Sequence, residues 1–501
     1  MKRFAVLLVC LLALSLVLGA AGCGSTGGSS SAGQKLYAQA KTAQAGKQYT
    51  KAAKLYEQAI PLLVKEGDSK DAADSYARLQ DMQLIADTYV KSISEVKADI
   101  ESLYPGAGAS KWAGELERIT YDGKIHFFGQ AAENLKYRHL ELMFQDAKLQ
   151  AAYPGLIIAL DQSAEQPVQA AWNPFQSPIN YESTTSVTIA RSNLPATGVL
   201  KLWWPVPILT APQTAASVKS ITPATYVKQP PTNGGNIGLI YMEVPLQTLT
   251  GDLNISVVYD WTHYQQRFTV DPANDGTYDK SSDDYKQYTR SYGNTTITPE
   301  IKATAQKVVG GEKNPYLAAK KLYDYVIKDI KYSFMPHLAA WPHSSMRESV
   351  YVHQNKRGDC GAQSMYYSAL CRSIGIPCRT TGGYQLWAGG QLGDHFWAEF
   401  LLPNYGWLPV DVTAAEIGDY PQQGVTAQQR QEFKDFFFAN QDAQRCVIQK
   451  DVDEPLTPPA NGSTMLPMAV QEPAAVCSNM KDSPALFVQQ GWKTQTVGLP
   501  Q

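Results

Sequence analysis

Between positions 357 and 413 the chain fixes a thiol, an imidazole and a carboxylate in that order, each in a setting that dictates local structure. Arg357-Gly358-Asp359-Cys360-Gly361 precedes Ala362 to Ser373, a run that reads as a helix stopping at Gly375, so the Cys360 sulfur falls at a helix N-terminus. Unpaired backbone N–H groups and the helix dipole there favour a thiolate and should lower the thiol pKa. An anion formed on a substrate carbonyl would gain from the same groups, which makes the Cys360 amide a candidate oxyanion donor. Within Gly393-Asp394-His395-Phe396-Trp397-Ala398-Glu399, His395 opens a strand-like run to Leu402, and Trp407 to Thr413 reads as its hairpin partner across Pro403-Asn404-Tyr405-Gly406. His395 and Asp411 are both odd-numbered, so they share a hairpin face when opposed residue numbers add to an even constant. Pairing Leu402 with Gly406 gives a sum of 808, with Asp411 opposite Trp397 and diagonal to His395; a sum of 806 would set the two directly opposite. Either register brings carboxylate to imidazole. Nucleophile, base and orienting carboxylate are the parts of a cysteine enzyme, with Cys360, His395 and Asp411 as the candidate catalytic residues.

From about Tyr323 to Thr413 the chain resembles the core of the transglutaminase-like superfamily. The matching pieces are the helix Ala318 to Lys328, Ile330-Lys331-Tyr332, the cysteine turn, Arg372-Ser373-Ile374-Gly375-Ile376-Pro377-Cys378-Arg379, Gly382-Gly383-Tyr384, the histidine strand and the Asp411-Val412-Thr413 end. The resemblance implies a papain-like α+β core in which Cys360 is nucleophile, His395 general base and acid, and Asp411 the residue that orients His395. It also implies a thioester with two fates, transfer to water or to an amine. No acidic calcium-loop pattern appears, so hydrolysis of a peptide or protein amide ranks slightly ahead of crosslinking, and no cofactor or metal is expected. Trp341, His343 and Tyr332 lie where a second oxyanion donor could come from. Asp394 and Glu399 read as solvated surface carboxylates. The rival from another class is a non-catalytic scaffold that captures a partner and retains a vestigial triad.

The N-terminus carries a second signal. Met1-Lys2-Arg3 is basic, Phe4 to Leu18 is almost wholly apolar, and Leu18-Gly19-Ala20-Ala21-Gly22-Cys23 ends in small residues before a cysteine. Residues 1–22 read as a secretory signal. The small residues before Cys23 resemble a bacterial-type lipoprotein processing site, which implies lipid on Cys23 and an extracytoplasmic protein held at a membrane. Residues 23–33, rich in Gly and Ser, read as the tether. No later apolar stretch is long enough to span a bilayer. The formal net charge of −2, or −4 without Lys2 and Arg3, offers no support for nucleic-acid binding.

The organisation expected is multidomain. A helical region over 34–150 has Tyr49, Ala52, Tyr56 and Ala59 on one face and resembles a tetratricopeptide-repeat helix, either a partner-binding scaffold or a spacer. An antiparallel β-sandwich-like domain follows over 164–270, with Trp203, Trp204 and Trp261 as core. A linker over 271–298, the transglutaminase-like catalytic core over 299–430 and a C-terminal extension over 431–501 complete the chain. Among the 7 cysteines, Cys371 and Cys378 read as buried thiols, and Cys446 with Cys477 form a plausible disulfide in an exported protein.

Overall fold

The computed structural model describes residues 30–145, 155, 157, 173–338, 344–386, 390, 392–420, 423–459, 471–477 and 484–499. These fall into two compact units: the residues up to Leu135 with the stretch Pro336–Ser345, and the remainder. The chain is multidomain, with N-terminal helices, several antiparallel sheets and an α+β core. No helix among the described residues is long and apolar enough to cross a membrane.

The first unit opens with helices α1 (Ala32–Ala45), α2 (Tyr49–Lys65), α3 (Ser69–Thr88) and α4 (Ile93–Leu103). The face of α2 that faces its neighbours is Ala52, Tyr56, Ala59 and Leu63. Ala40, Ala43, Ala52 and Tyr56 form one small core, and Ala59, Leu63 and Ala72 the next. Small residues at these positions let the helices approach closely. The helical region expected over 34–150 is interrupted after Leu103, where a hairpin forms from β1 (Arg118–Tyr121) and β2 (Lys124–Phe127) before two short helices, Leu135–Arg138 and Leu140–Met143. Its turn is Asp122-Gly123, both at positive φ, an Asp-Gly signal for a tight hairpin that outweighs the surrounding composition. The Asp122 carboxylate then accepts the Thr50 N–H at 3.1 Å and the Thr50 hydroxyl at 2.6 Å, capping the start of α2.

The second unit begins its sheets with β3 (Phe175–Ile189), β4 (Val199–Pro205), β5 (Ala215–Thr222), β6 (Val227–Thr232), β7 (Leu239–Pro245) and β8 (Leu253–Arg267). Burial alternates along β3 and β8, as it must when one face of a strand meets a core. Trp203, Trp204 and Trp261 are fully buried, and the last two donate to the Thr185 and Ser183 hydroxyls at 3.0 and 2.8 Å. The rest of the unit contains the parallel pair β9 (Lys331–Tyr332) and β10 (Arg357–Gly358), then β11 (Cys378–Leu386), β12 (Leu392–Leu402), β13 (Gly406–Val410), β14 (Asn440–Gln441), β15 (Arg445–Gln449), β16 (Ala474–Val476) and β17 (Trp492–Gly498). The sheet that holds the candidate site has the order β13-β12-β11-β15.

Residues 431–501 are not an appendage. They supply β14 and β17 to the sheet of β3 and β8, β16 to the sheet of β4 and β7, and β15 to the candidate-site sheet. One apolar core accordingly runs from Leu202, Trp204, Val257 and Trp261 to Tyr384, Cys446 and Ile448. The segment expected as a linker over 271–298 is likewise packed: it contains the helix Asp283–Tyr288, buries Tyr288, and donates the Tyr278 hydroxyl to the Leu401 carbonyl at 2.8 Å. Cys446 and Cys477 are not joined; both are thiols inside this core, and Cys371 and Cys378 are fully buried.

Candidate active site

The cysteine helix runs Cys360–Ser373 with Cys360 as its first residue. Asp359 caps it, its carboxylate accepting the Ala362 N–H at 3.0 Å. Every residue from Gly361 to Arg372 is buried, whereas Cys360 itself is half-buried. Gln363 braces the turn from beneath, donating to the Gly358 carbonyl at 3.0 Å and to Glu416 at 3.3 Å. The Cys360 backbone N–H has no acceptor among the described residues, as expected at the first helical position.

The histidine strand pairs with β13 in the register that sums to 808, with Leu402 opposite Gly406 and Ala398 opposite Val410. The second strand was expected to run to Thr413 but stops at Val410. Asp411 leaves the ladder to cap the helix Val412–Glu416, and its Oδ1 accepts the Ala414 N–H at 2.9 Å and the Thr413 hydroxyl at 3.3 Å. Its Oδ2 meets His395 Nε2 at 2.7 Å. A carboxylate only accepts, so Nε2 carries the hydrogen and Nδ1 is the nitrogen left to exchange protons. The amides of Phe396, next to His395, and of Gly361 face the Cys360 sulfur. The cysteine helix thus packs on the histidine strand, with the Cys360 sulfur at the amide of the residue that follows His395.

Burial pushes the Cys360 thiol up, Asp359 and Asp411 add to the rise, and the Phe396 and Gly361 amides oppose it. This reverses the expectation of a lowered thiol pKa. The helix terminus is in place, but loss of hydration outweighs its field. The thiol proton therefore has to pass to a base. Burial also works against the Asp411 charge, yet His395, Arg445 and the Ala414 amide together hold the carboxyl well below its usual range.

Two supports of the site were not anticipated. Arg445 on β15 is wholly buried and places Nη1 2.5 Å from Asp411 Oδ2 and Nη2 2.9 Å from Asp442. The strand that carries it lies tightly on β11, where a Cβ on Gly383 would run into the Cys446 carbonyl. The Gln471 amide donates to the Gly383 and His395 carbonyls at 2.8 and 3.0 Å and so fixes the backbone under the imidazole. Neither residue belongs to a local motif; only the long-range pairing of residues 445–449 and 471–477 brings them in.

Tyr332, opposite Gly358 in the β9 and β10 pair, adjoins the cysteine turn. Burial first, then the nearby Cys360 and Asp359, keep its hydroxyl protonated far beyond the usual range, which leaves it a donor. Trp341, His343 and Cys23 lie outside the described residues. Asp394 is exposed, as expected, but Glu399 is not a surface carboxylate: it is buried and pairs with Arg379 at 2.6 Å, whose guanidinium also lies over Trp407. Among the described residues no cluster of His, Cys, Asp or Glu is arranged to hold a metal ion.

A protein 22% identical over 182 residues, uncharacterised, occurs in Haemophilus influenzae; the match takes in 32% of this chain and 48% of that one, so the chain spans about half the length of this curated relative. Among solved structures, a candidate cysteine protease from Cytophaga hutchinsonii aligns with a TM-score of 0.40 and 12% identity, over 65% of this chain and 92% of that one. The periplasmic domain of TgpA from Pseudomonas aeruginosa aligns at 0.25 and 14%, over 51% and 92%. At these scores the whole chains are only distantly alike. The model of the transglutaminase-like superfamily matches residues 302–412, a span that begins in the helix Pro299–Val309 and closes just past the aspartate. Cysteine turn, histidine strand and aspartate cap all fall inside it, and residues 302–412 are a transglutaminase-like domain.

Proposed function

We propose that the chain is an extracytoplasmic cysteine enzyme that attacks peptide or protein amides through Cys360, His395 and Asp411. The observation that carries this reading is the His395–Asp411 bond at 2.7 Å beside a half-buried thiol at a helix N-terminus. As the Cys360 sulfur bonds to the amide carbon, His395 Nδ1 takes the thiol proton and Asp411 holds the imidazolium from Nε2. The carbonyl oxygen becomes an oxyanion, met by the Cys360 N–H and the Tyr332 hydroxyl. When the C–N bond breaks, His395 returns the proton to the leaving amine and a thioester remains. Water, or a second amine, then attacks with His395 as base and restores the thiol. Hydrolysis ranks slightly ahead of amine transfer. Lipid on Cys23 would hold the enzyme at the membrane, the helical unit would serve as a tetratricopeptide-like partner surface, and β3 to β8 would form a sandwich.

The rise in the Cys360 pKa favours one alternative, a partner-binding scaffold with a silent triad. A peptide substrate screen with and without a primary amine separates the readings. New peptide termini or released acid indicate hydrolysis, amine incorporation indicates crosslinking, and identical behaviour of wild type and Cys360→Ala indicates the scaffold. Intact mass of protein made in a lipidating bacterium tests the anchor, since an unmodified Cys23 thiol would refute it.

A further inference from the structure

We propose that Arg445 is a positioning residue of the candidate site: its guanidinium clamps Asp411 against His395 and sets the pH at which His395 gains its proton. This rests on the enzyme reading of the site, but its first readout does not. Asp411 Oδ2 receives two donors, His395 Nε2 at 2.7 Å and Arg445 Nη1 at 2.5 Å, while Oδ1 is occupied by Ala414 and Thr413. With all four contacts made, the carboxylate cannot turn away from the imidazole. Arg445 is itself held: Nε and Nη2 reach Asp442 at 3.2 and 2.9 Å, and its guanidinium lies over the Trp397 and Phe437 rings. A planar fork can span two carboxylates in this way, and a lysine ammonium cannot.

Asp411 and Asp442 carry one negative charge each and Arg445 one positive, so the network is negative by one while His395 is neutral and balanced once it is imidazolium. The network thus favours the proton that the imidazole must take from Cys360, and Arg445 limits how strongly. Other titratable groups facing it among the described residues are the Cys360 thiol and the Tyr323 hydroxyl, beside Asp411, and His263 on β8, beside Asp442 and Arg445. His263 is fully buried. Burial first, with Arg445 also lowering it and Asp442 raising it, pushes His263 down to about 3, so it is neutral here and adds no charge. Asp394, next to His395 in sequence, projects from the opposite face of β12; loss of hydration first and then Glu472 raise its carboxyl to about 7, so it titrates within the range of the test below.

The test is the titration of His395 by NMR in histidine-labelled protein, which needs no substrate. Arg445→Met removes the cation, so His395 should titrate higher, by about one pH unit, the lower end of what a charge within about 4–6 Å produces. Asp442→Asn removes an anion, so His395 should titrate lower. Arg445→Lys keeps the charge without the fork; His395 should titrate close to wild type while turnover falls at unchanged KM. If Arg445→Met does not fold, Asp442→Asn and Arg445→Lys still decide. A His395 titration unmoved by Asp442→Asn, or full turnover in folded Arg445→Lys, would overturn the proposal. If instead the wild type turns over no amide but His395 shifts as stated, the enzyme reading fails and the electrostatic role of Arg445 stands.

Discussion

The hairpin β12 and β13 and the strand β15 both deliver charge to one carboxylate, by opposite routes. His395 and Asp411 are joined by a tight turn whose register follows from Leu402 meeting Gly406, so their meeting is a local consequence of the chain. Arg445 arrives from 34 residues beyond Asp411 on a strand that pairs with β11, not with the hairpin. The first contact is set by parity and turn chemistry, the second by tertiary packing alone. A candidate catalytic pair can therefore be read from a short motif, while the arginine that contacts its carboxylate cannot.

The strongest break of the local half is chemical. Cys360→Ala should abolish acylation by any amide substrate and leave the fold intact, because the side chain is half-buried at a helix start; residual acylation measured by intact mass would remove Cys360 from the mechanism. Asp411→Asn should slow acylation by up to about 10⁴, the upper guide from a serine triad in which the imidazole took the wrong tautomer. The same variant probes the long-range half. It leaves Arg445 buried with one carboxylate fewer, so unfolding in urea should show a loss of about 3–5 kcal/mol. An unchanged midpoint would mean that Arg445 does not depend on Asp411.

Glu399 and Asp394 sharpen the contrast, since they flank the same histidine. Glu399→Gln breaks a buried pair with Arg379 and should also cost about 3–5 kcal/mol, whereas Asp394→Asn at an exposed position should stay within about 0.5 kcal/mol. Equal effects on the denaturation midpoint would contradict the burial difference.

These residues show where sequence reasoning succeeds and fails. Strand alternation pointed to the hairpin but not to Glu399, because Arg379, its partner, lies on β11 across the sheet. Periodicity found the Ala52, Tyr56 and Ala59 face of α2 and passed over Asp122-Gly123, a turn signal embedded in a helical composition. Residues 431–501 lack periodicity because their strands are mostly short and are completed by distant partners, β17 and β16 by β3 and β4 more than two hundred positions away. The helix terminus at Cys360 was legible; the desolvation that outweighs it is a property of the packed interior.

The buried histidine on β8 adds a slope to the pH profile of stability. His263 titrates near 6.5 in an unfolded chain and at about 3 when folded. The unfolded state therefore binds the extra proton between these values, so this contribution to stability is complete above about pH 6.5 and declines as pH falls, by about 1.4 kcal/mol per unit. His263→Phe should flatten that part of the stability profile in urea titrations; an unaltered slope would show that His263 is not neutral in the fold.

In the proposed mechanism His395 withdraws the proton from a thiol that desolvation keeps protonated. Alkylation by iodoacetamide near pH 7, mapped by mass spectrometry, tests it without knowledge of the substrate. The account predicts that Cys360 reacts well ahead of the fully buried Cys371, Cys378 and Cys446, and that His395→Ala slows Cys360 toward the rate of those thiols. Equal labelling of Cys360 in wild type and His395→Ala would contradict it, because the thiol would then ionise without the base.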